Sequence, residues 1–149
     1  MGTRKPIKLK WVDTDKGSRY RSRLCAKEFR QKAHTWFAGT PPHESLRVLA
    51  ALLAQGKDKP GNVSMAVLDV SRAHFHAPAE RKLFVELPPE DDMASNPAYC
   101  GELAMSMYGT RDAAYNWEKK YSQVLTDLLF EKGGASPCHL STCTMAFAC

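Results

Sequence analysis

The stretch Val63-Ser64-Met65-Ala66-Val67-Leu68-Asp69-Val70, followed by Ser71-Arg72-Ala73-His74-Phe75-His76-Ala77, decides how the rest of the chain is read. An apolar run of this length reads as a buried strand. An acid at its end is costly unless it is paired or binds a cation. The turn that follows is basic and aromatic. An acid delivered by a core strand beside such groups suits a divalent metal and a phosphate chain. An aspartate in this place would equally cap the turn or helix that follows, as many do.

Outward from that strand, the pattern gives an ordered set of elements. Ile7-Lys8-Leu9-Lys10-Trp11-Val12-Asp13 alternates apolar and polar residues, as a half-buried strand does. Asp15-Lys16-Gly17-Ser18 is a turn signal, and a second strand runs from Arg19 to Phe29. Thr40-Pro41-Pro42-His43-Glu44 starts a helix with an N-cap, a proline and an early acid. Leu46, Leu49, Ala50 and Leu53 then form a stripe that runs to about Gln55-Gly56. Arg81 to Leu87 is a short strand, stopped by Pro88-Pro89, and Tyr99 to Met107 is strand-like, with a helical option from Leu103. Gly109-Thr110 opens a helix with Ala113, Ala114, Trp117, Tyr121, Val124 and Leu128 on one face, ending near Lys132-Gly133-Gly134. The order ββ-α-β-β-β-α is an α+β domain.

Its 149 residues, 44% of them hydrophobic and 25% charged, fit a single globular domain. No apolar run approaches a membrane span, and the first residues lack the apolar stretch of a secretory signal. The five cysteines, Cys25, Cys100, Cys138, Cys143 and Cys149, have no regular spacing and read as free thiols. A zinc site from His74, His76, Cys138, His139 and Cys143 lacks any paired spacing. Charge is distributed unevenly. Residues 1–40 carry a net +8 and the remainder a net −3, within a total of +5. A basic N-terminal third on a near-neutral body is a footprint of nucleic-acid or polyphosphate contact, and a solvated basic hairpin would look the same. Lys8, Lys10, Arg19, Arg30 and Lys32 are the candidate nucleic-acid contacts.

Six segments in order resemble one family, the copia-type LTR-retrotransposon reverse transcriptases. Arg21-Ser22-Arg23-Leu24-Cys25-Ala26-Lys27-Glu28-Phe29-Arg30-Gln31 resembles the family's KARLVAKGFxQ segment, and Phe37 to Pro42 sits where it has FxPV. Leu68-Asp69-Val70-Ser71-Arg72-Ala73-His74-Phe75 resembles LDVxxAF, and Leu83 to Pro89 resembles VYMEQPPGF. Met107 to Trp117 resembles SLYGLKQAPRAW, and Ala135-Ser136-Pro137-Cys138-His139-Leu140 matches SDPCLF. Together they span roughly residues 7–140.

The resemblance implies the fingers and part of the palm of a right-hand polymerase, a piece of a Pol polyprotein. It divides residues 1–149 into a basic fingers hairpin (about 7–40), a helix, catalytic strand and palm segments (41–140), and a divergent tail (141–149). Such enzymes use two divalent ions, Mg2+ or Mn2+, to align a primer 3′-oxygen with the α-phosphate of a deoxynucleotide on an RNA template. Asp69 would be the first metal carboxylate, with the Val70 backbone near the triphosphate. Arg21, Arg23 and Lys27 fall on the strand whose basic side chains clamp phosphates in this family. His74 stands where the family carries Phe or Tyr against a ribose 2′-hydroxyl, and Asp112 where it has a nucleotide-pocket glutamine. An acid near a triphosphate is unfavourable, though Asp112 also suits a helix N-terminus.

The family's second motif, an aromatic-x-Asp-Asp hairpin, is expected soon after SDPCLF, yet Ser141 to Cys149 contains no acid. The expectation is therefore a truncated or degenerate polymerase piece, inactive alone. The alternative is a basic RNA- or DNA-binding remnant without chemistry. A further option is a fragment whose palm sheet has an open edge and does not fold stably. The family places such proteins in cytoplasmic particles and then the nucleus, without a membrane.

Overall fold

The computed structural model describes residues 5–29, 36–56, 67–134, 138 and 140–142. These hold mixed α and β structure: β1 (Leu9–Asp15), β2 (Tyr20–Ala26), α1 (His43–Gly56), a 3-10 turn (Ala73–His76), β3 (Phe84–Val85), β4 (Gly101–Glu102), α2 (Ala113–Asp127), β5 (Phe130–Lys132) and β6 (Leu140–Thr142). The strands form three antiparallel pairs, β1 with β2, β3 with β4 and β5 with β6. Residues group into two compact units: one of 1–38 and 72–122, the other of 39–71 and 123–149.

In the first unit, β1 and β2 pair from Leu9 opposite Ala26 to Asp15 opposite Tyr20. Gly17 turns the hairpin with φ 75, and its N–H donates to Asp15 Oδ1 at 2.7 Å. The positive φ is why glycine stands there. Two backbone seams dock the hairpin's open end. Ile7 N donates to Phe84 O at 2.8 Å and Glu86 N to Ile7 O at 2.9 Å, while Ala26 N donates to Tyr108 O at 2.7 Å. Around them Ala26, Ala77, Leu83, Val85, Met107 and Ala113 form a small apolar core. Gly109 permits the second seam: its φ is +87, and a Cβ there would lie 2.0 Å from Ala26 O.

Four expectations change. The segment 67–70, expected as the end of a core strand, has no regular structure and is exposed, with Leu68 at 88%. An apolar run becomes a strand only where another strand satisfies its backbone, and among the described residues none pairs with it. Residues 63–66 lie outside the described residues. The strands expected over Arg81–Leu87 and Tyr99–Met107 shrink to two paired residues each.

The helix expected to reach Lys132 ends at Asp127. Leu129 takes φ 66, its N–H donating to Thr126 O at 2.9 Å, and Phe130–Lys132 are claimed by pairing with β6. Finally, the inward residues of α2 are Ala113, Asn116 and Ser122, whereas Ala114, Val124 and Leu128 are exposed. Of these, Asn116 ties the helix to its surroundings, its Nδ2 donating to Ser106 Oγ.

In the second unit α1 forms over the expected span, but Leu46, Leu49 and Leu52 are each more than half exposed.

Candidate functional site

The basic residues of the hairpin are sorted by strand alternation. Directly opposed residues share a face, and neighbours along a strand alternate. The pairs Lys10–Cys25, Val12–Arg23 and Thr14–Arg21 therefore occupy one face. One step further, Lys27 N donates to Lys8 O at 2.8 Å, which adds Lys8 and Lys27 to it. Past the other end, Lys16 N donates to Arg19 O at 3.1 Å across the turn. The opposite face carries Leu9, Trp11, Asp13, Asp15, Tyr20, Ser22, Leu24 and Ala26, and no cation. Lys8, Lys10, Arg19, Arg21, Arg23 and Lys27 are all exposed. Arg30 and Lys32 lie outside the described residues.

The basic face meets an aromatic cluster. The Arg23 guanidinium lies 5.6 Å from the centre of the Tyr108 ring. Tyr108 makes edge-on contacts with His74 at 4.9 Å and Phe75 at 5.5 Å. His74 Nδ1 lies 3.2 Å from Ala113 O; a carbonyl only accepts, so Nδ1 carries the hydrogen and Nε2 is left for another partner. The fold thus gathers Arg23 and His74, which lie far apart in sequence, around Tyr108.

Asp112 is placed differently. It is 2% exposed, and Arg81 donates to it twice, from Nε to Oδ2 and from Nη2 to Oδ1, both at 2.8 Å. The same guanidinium donates to Glu28, from Nη1 to Oε1 at 3.0 Å and from Nη2 to Oε2 at 2.9 Å. Arg111 contributes its backbone N–H to Glu28 Oε2 at 2.9 Å. Its Nε lies 3.0 Å from Glu28 Oε1, an ion pair not aligned as a hydrogen bond, and its Nη1 is buried without a hydrogen-bond partner. The Trp36 ring is in cation–π contact with both guanidinium groups, at 4.5 Å for Arg81 and 5.1 Å for Arg111. Asn116 Nδ2 donates to Ser106 Oγ at 2.9 Å.

Burial by itself would raise the Glu28 and Asp112 pKa values. The hydrogen bonds and charge of Arg81, joined at Glu28 by Arg111, outweigh it and hold both below the ordinary carboxylate range. Arg81 is driven upward, chiefly by its bonds to Asp112. Two acids and two cations leave the cluster neutral.

Asp69 and Val70 are exposed in the second unit. Among the described residues no three His, Cys, Asp or Glu side chains are grouped closely enough to hold a metal ion. The donor set among the described residues therefore does not fit a two-metal centre. Among the described residues no disulfide joins Cys25, Cys100 and Cys138, and no helix is long and apolar enough to cross a membrane. The sequence alone did not point to Tyr108, Arg81, Arg111 or Trp36. Glu28 offered one signal, an acid where KARLVAKGFxQ has glycine.

Comparison with known proteins bears directly on these motifs. The chain is 28% identical over 145 residues to the retrovirus-related Pol polyprotein from transposon TNT 1-94 of Nicotiana tabacum. The match covers 91% of this chain and 10% of that protein, so the chain spans about a tenth of its relative's length. No solved structure matches at a significant level. A family model described as "Reverse transcriptase (RNA-dependent DNA polymerase)" matches residues 2–138, nearly the whole span of the six motifs. With the motifs in order and the model matched across them, the chain belongs to the reverse transcriptase family, as the copia-type resemblance implies.

Proposed function

We propose that these 149 residues are the fingers and part of the palm of a retroelement RNA-directed DNA polymerase, in which the hairpin holds the phosphates of template, primer or deoxynucleotide. The observation that carries this reading is the basic face: Lys8, Lys10, Arg21, Arg23 and Lys27 lie together on one side of β1–β2, beside Tyr108 and His74. The ladder fixes the backbone that carries these lysines and arginines, so a phosphate chain meets them without that backbone first being ordered. Reverse transcriptases work with divalent ions. Asp69, with Val70, is the position proposed to bring one carboxylate to Mg2+ or Mn2+, and the other ligands would come from elsewhere in a longer polyprotein. The 149 residues alone are then proposed to be inactive, because one carboxylate does not hold two metals.

Two measurements on the 149-residue chain test this. Primer extension with Mg2+ or Mn2+ should be undetectable; extension that disappears in Asp69→Asn overturns the claim of inactivity. Binding to single-stranded RNA should weaken with salt, with a log–log slope of about −3.5 if five cations each neutralise a phosphate. Salt-independent binding removes the phosphate-holding role. The exposure of the basic face also favours a second reading, in which the chain binds nucleic acid and does no chemistry. Fusing the chain to a polyprotein segment that contains the aromatic-x-Asp-Asp motif separates the two. Restored extension supports the polymerase piece, and binding without extension supports the remnant.

A further inference from the structure

We infer that Glu28, Arg81, Asp112 and Arg111 form a charge-neutral lock that holds the basic hairpin face against the Tyr108 turn, with Asp112 a positioning residue rather than a ligand contact. Three separate segments meet in it. Glu28 follows the end of β2, Arg81 precedes β3, and Arg111-Asp112 lead into α2. Arg81 spends Nε, Nη1 and Nη2 on the two carboxylates, a geometry that a planar fork supplies and an ammonium does not. Trp36 covers both guanidinium groups, which shields the ion pairs from water. The backbone seam from Ala26 N to Tyr108 O lies two residues before Glu28 and three before Arg111. Fixing Glu28 to Arg111 therefore fixes that seam, and with it the placement of Arg23 over Tyr108.

This assignment alters what Asp112 does to a bound phosphate. An exposed acid at that place would repel it. A buried acid neutralised by Arg81 adds almost no field at the hairpin surface. The charge is spent internally.

The test uses the full chain as wild type, Asp112→Asn, Arg81→Gln, and Arg81→Lys, which keeps the charge but loses the fork. Hydrogen exchange is read at the Ala26 and Arg111 amides and along the β1–β2 ladder. Release of the lock should speed exchange at Ala26 and Arg111 by about tenfold in each variant, while the ladder stays slow. Unchanged exchange at those two amides, or equal acceleration at all amides, overturns the lock. Arg81→Lys, the mildest change, keeps the test open if the others do not fold.

A second arm rests on the proposed function and reads affinity for single-stranded oligo(dT). Asp112→Asn should weaken binding by about fivefold with the salt slope unchanged, since neither Asp112 nor Arg81 touches a phosphate. Tighter binding in Asp112→Asn would mean that the acid faces the ligand, and it overturns the positioning role. If wild type binds no oligonucleotide, the functional reading fails, and the exchange pattern alone decides the lock.

Discussion

Around Asp112, two acids, two arginines, an asparagine and a tryptophan are packed together with most of their polar atoms paired. Around Asp69, Val67, Leu68 and Val70 stand in water. The sequence suggests the reverse. Asp69 closes an apolar run and looks like a costly buried charge, whereas Asp112 lies in a polar turn that loops usually place at the surface. The contrast shows that burial follows partners more than local hydrophobicity. Arg81 and Glu28 supply the Asp112 region with partners from distant segments, and among the described residues no strand supplies the Asp69 segment with any.

The sharpest way to break the contrast is at Gly109, on which the ordered region depends. Its φ of +87 and the 2.0 Å approach to Ala26 O leave a side chain no room. Gly109→Ala should destabilise the chain by about 3 kcal/mol or more, read as a fall in Tm by circular dichroism. Gly17 is the control, since its φ is +75 but a Cβ there meets nothing within 4 Å. Gly17→Ala should cost only about 1 kcal/mol. Equal effects would mean that the Ala26–Tyr108 seam contributes nothing.

Arg81→Gln comes next, at about 3 kcal/mol in urea unfolding, because it leaves Asp112 buried without its cation and Glu28 with Arg111 alone. Its pH dependence is diagnostic. In the wild type Glu28 and Asp112 sit below their ordinary values, so their contribution is complete above about pH 4. It fades as the pH falls through the folded values. In Arg81→Gln burial dominates at Asp112 and pushes its carboxyl upward, while Arg111 still holds Glu28, so at Asp112 the sign reverses and stability should rise as the pH drops from neutral toward 5. A variant whose stability stays as flat as the wild type's over that range would show that Arg81 does not control Asp112.

How much could be read in advance follows the same division. The hairpin, its Gly17 turn and the span of α1 rest on neighbours in sequence: alternation, a turn glycine, a cap and a stripe. All three form close to where the pattern places them. Gly133-Gly134 reads as a cap in the sequence, but α2 stops at Asp127 because a strand partner at Leu140–Thr142 claims Phe130–Lys132 first. The basic face was legible only as a cluster; its confinement to one side needs the register of Lys10 with Cys25 and Val12 with Arg23. The Glu28–Arg81–Asp112 arrangement was not legible, since its members are separated by 53 and 31 positions and no periodicity links them.

The smallest effects are expected at the Asp69 segment, and smallness is what makes them informative. If Leu68 and Asp69 are surrounded by water, Leu68→Ser and Asp69→Asn should each change stability by no more than about 0.5 kcal/mol. A leucine buried in a strand would instead cost about 2 kcal/mol or more on losing its side chain. Urea unfolding of the 149-residue chain distinguishes these outcomes. A large loss in Leu68→Ser would restore the core strand and give Asp69 a fixed backbone from which to serve as a ligand. Two neutral substitutions would mean that these residues gain a strand only when a partner pairs with them. Asp69 would then be positioned by that partner and not by its own apolar neighbours.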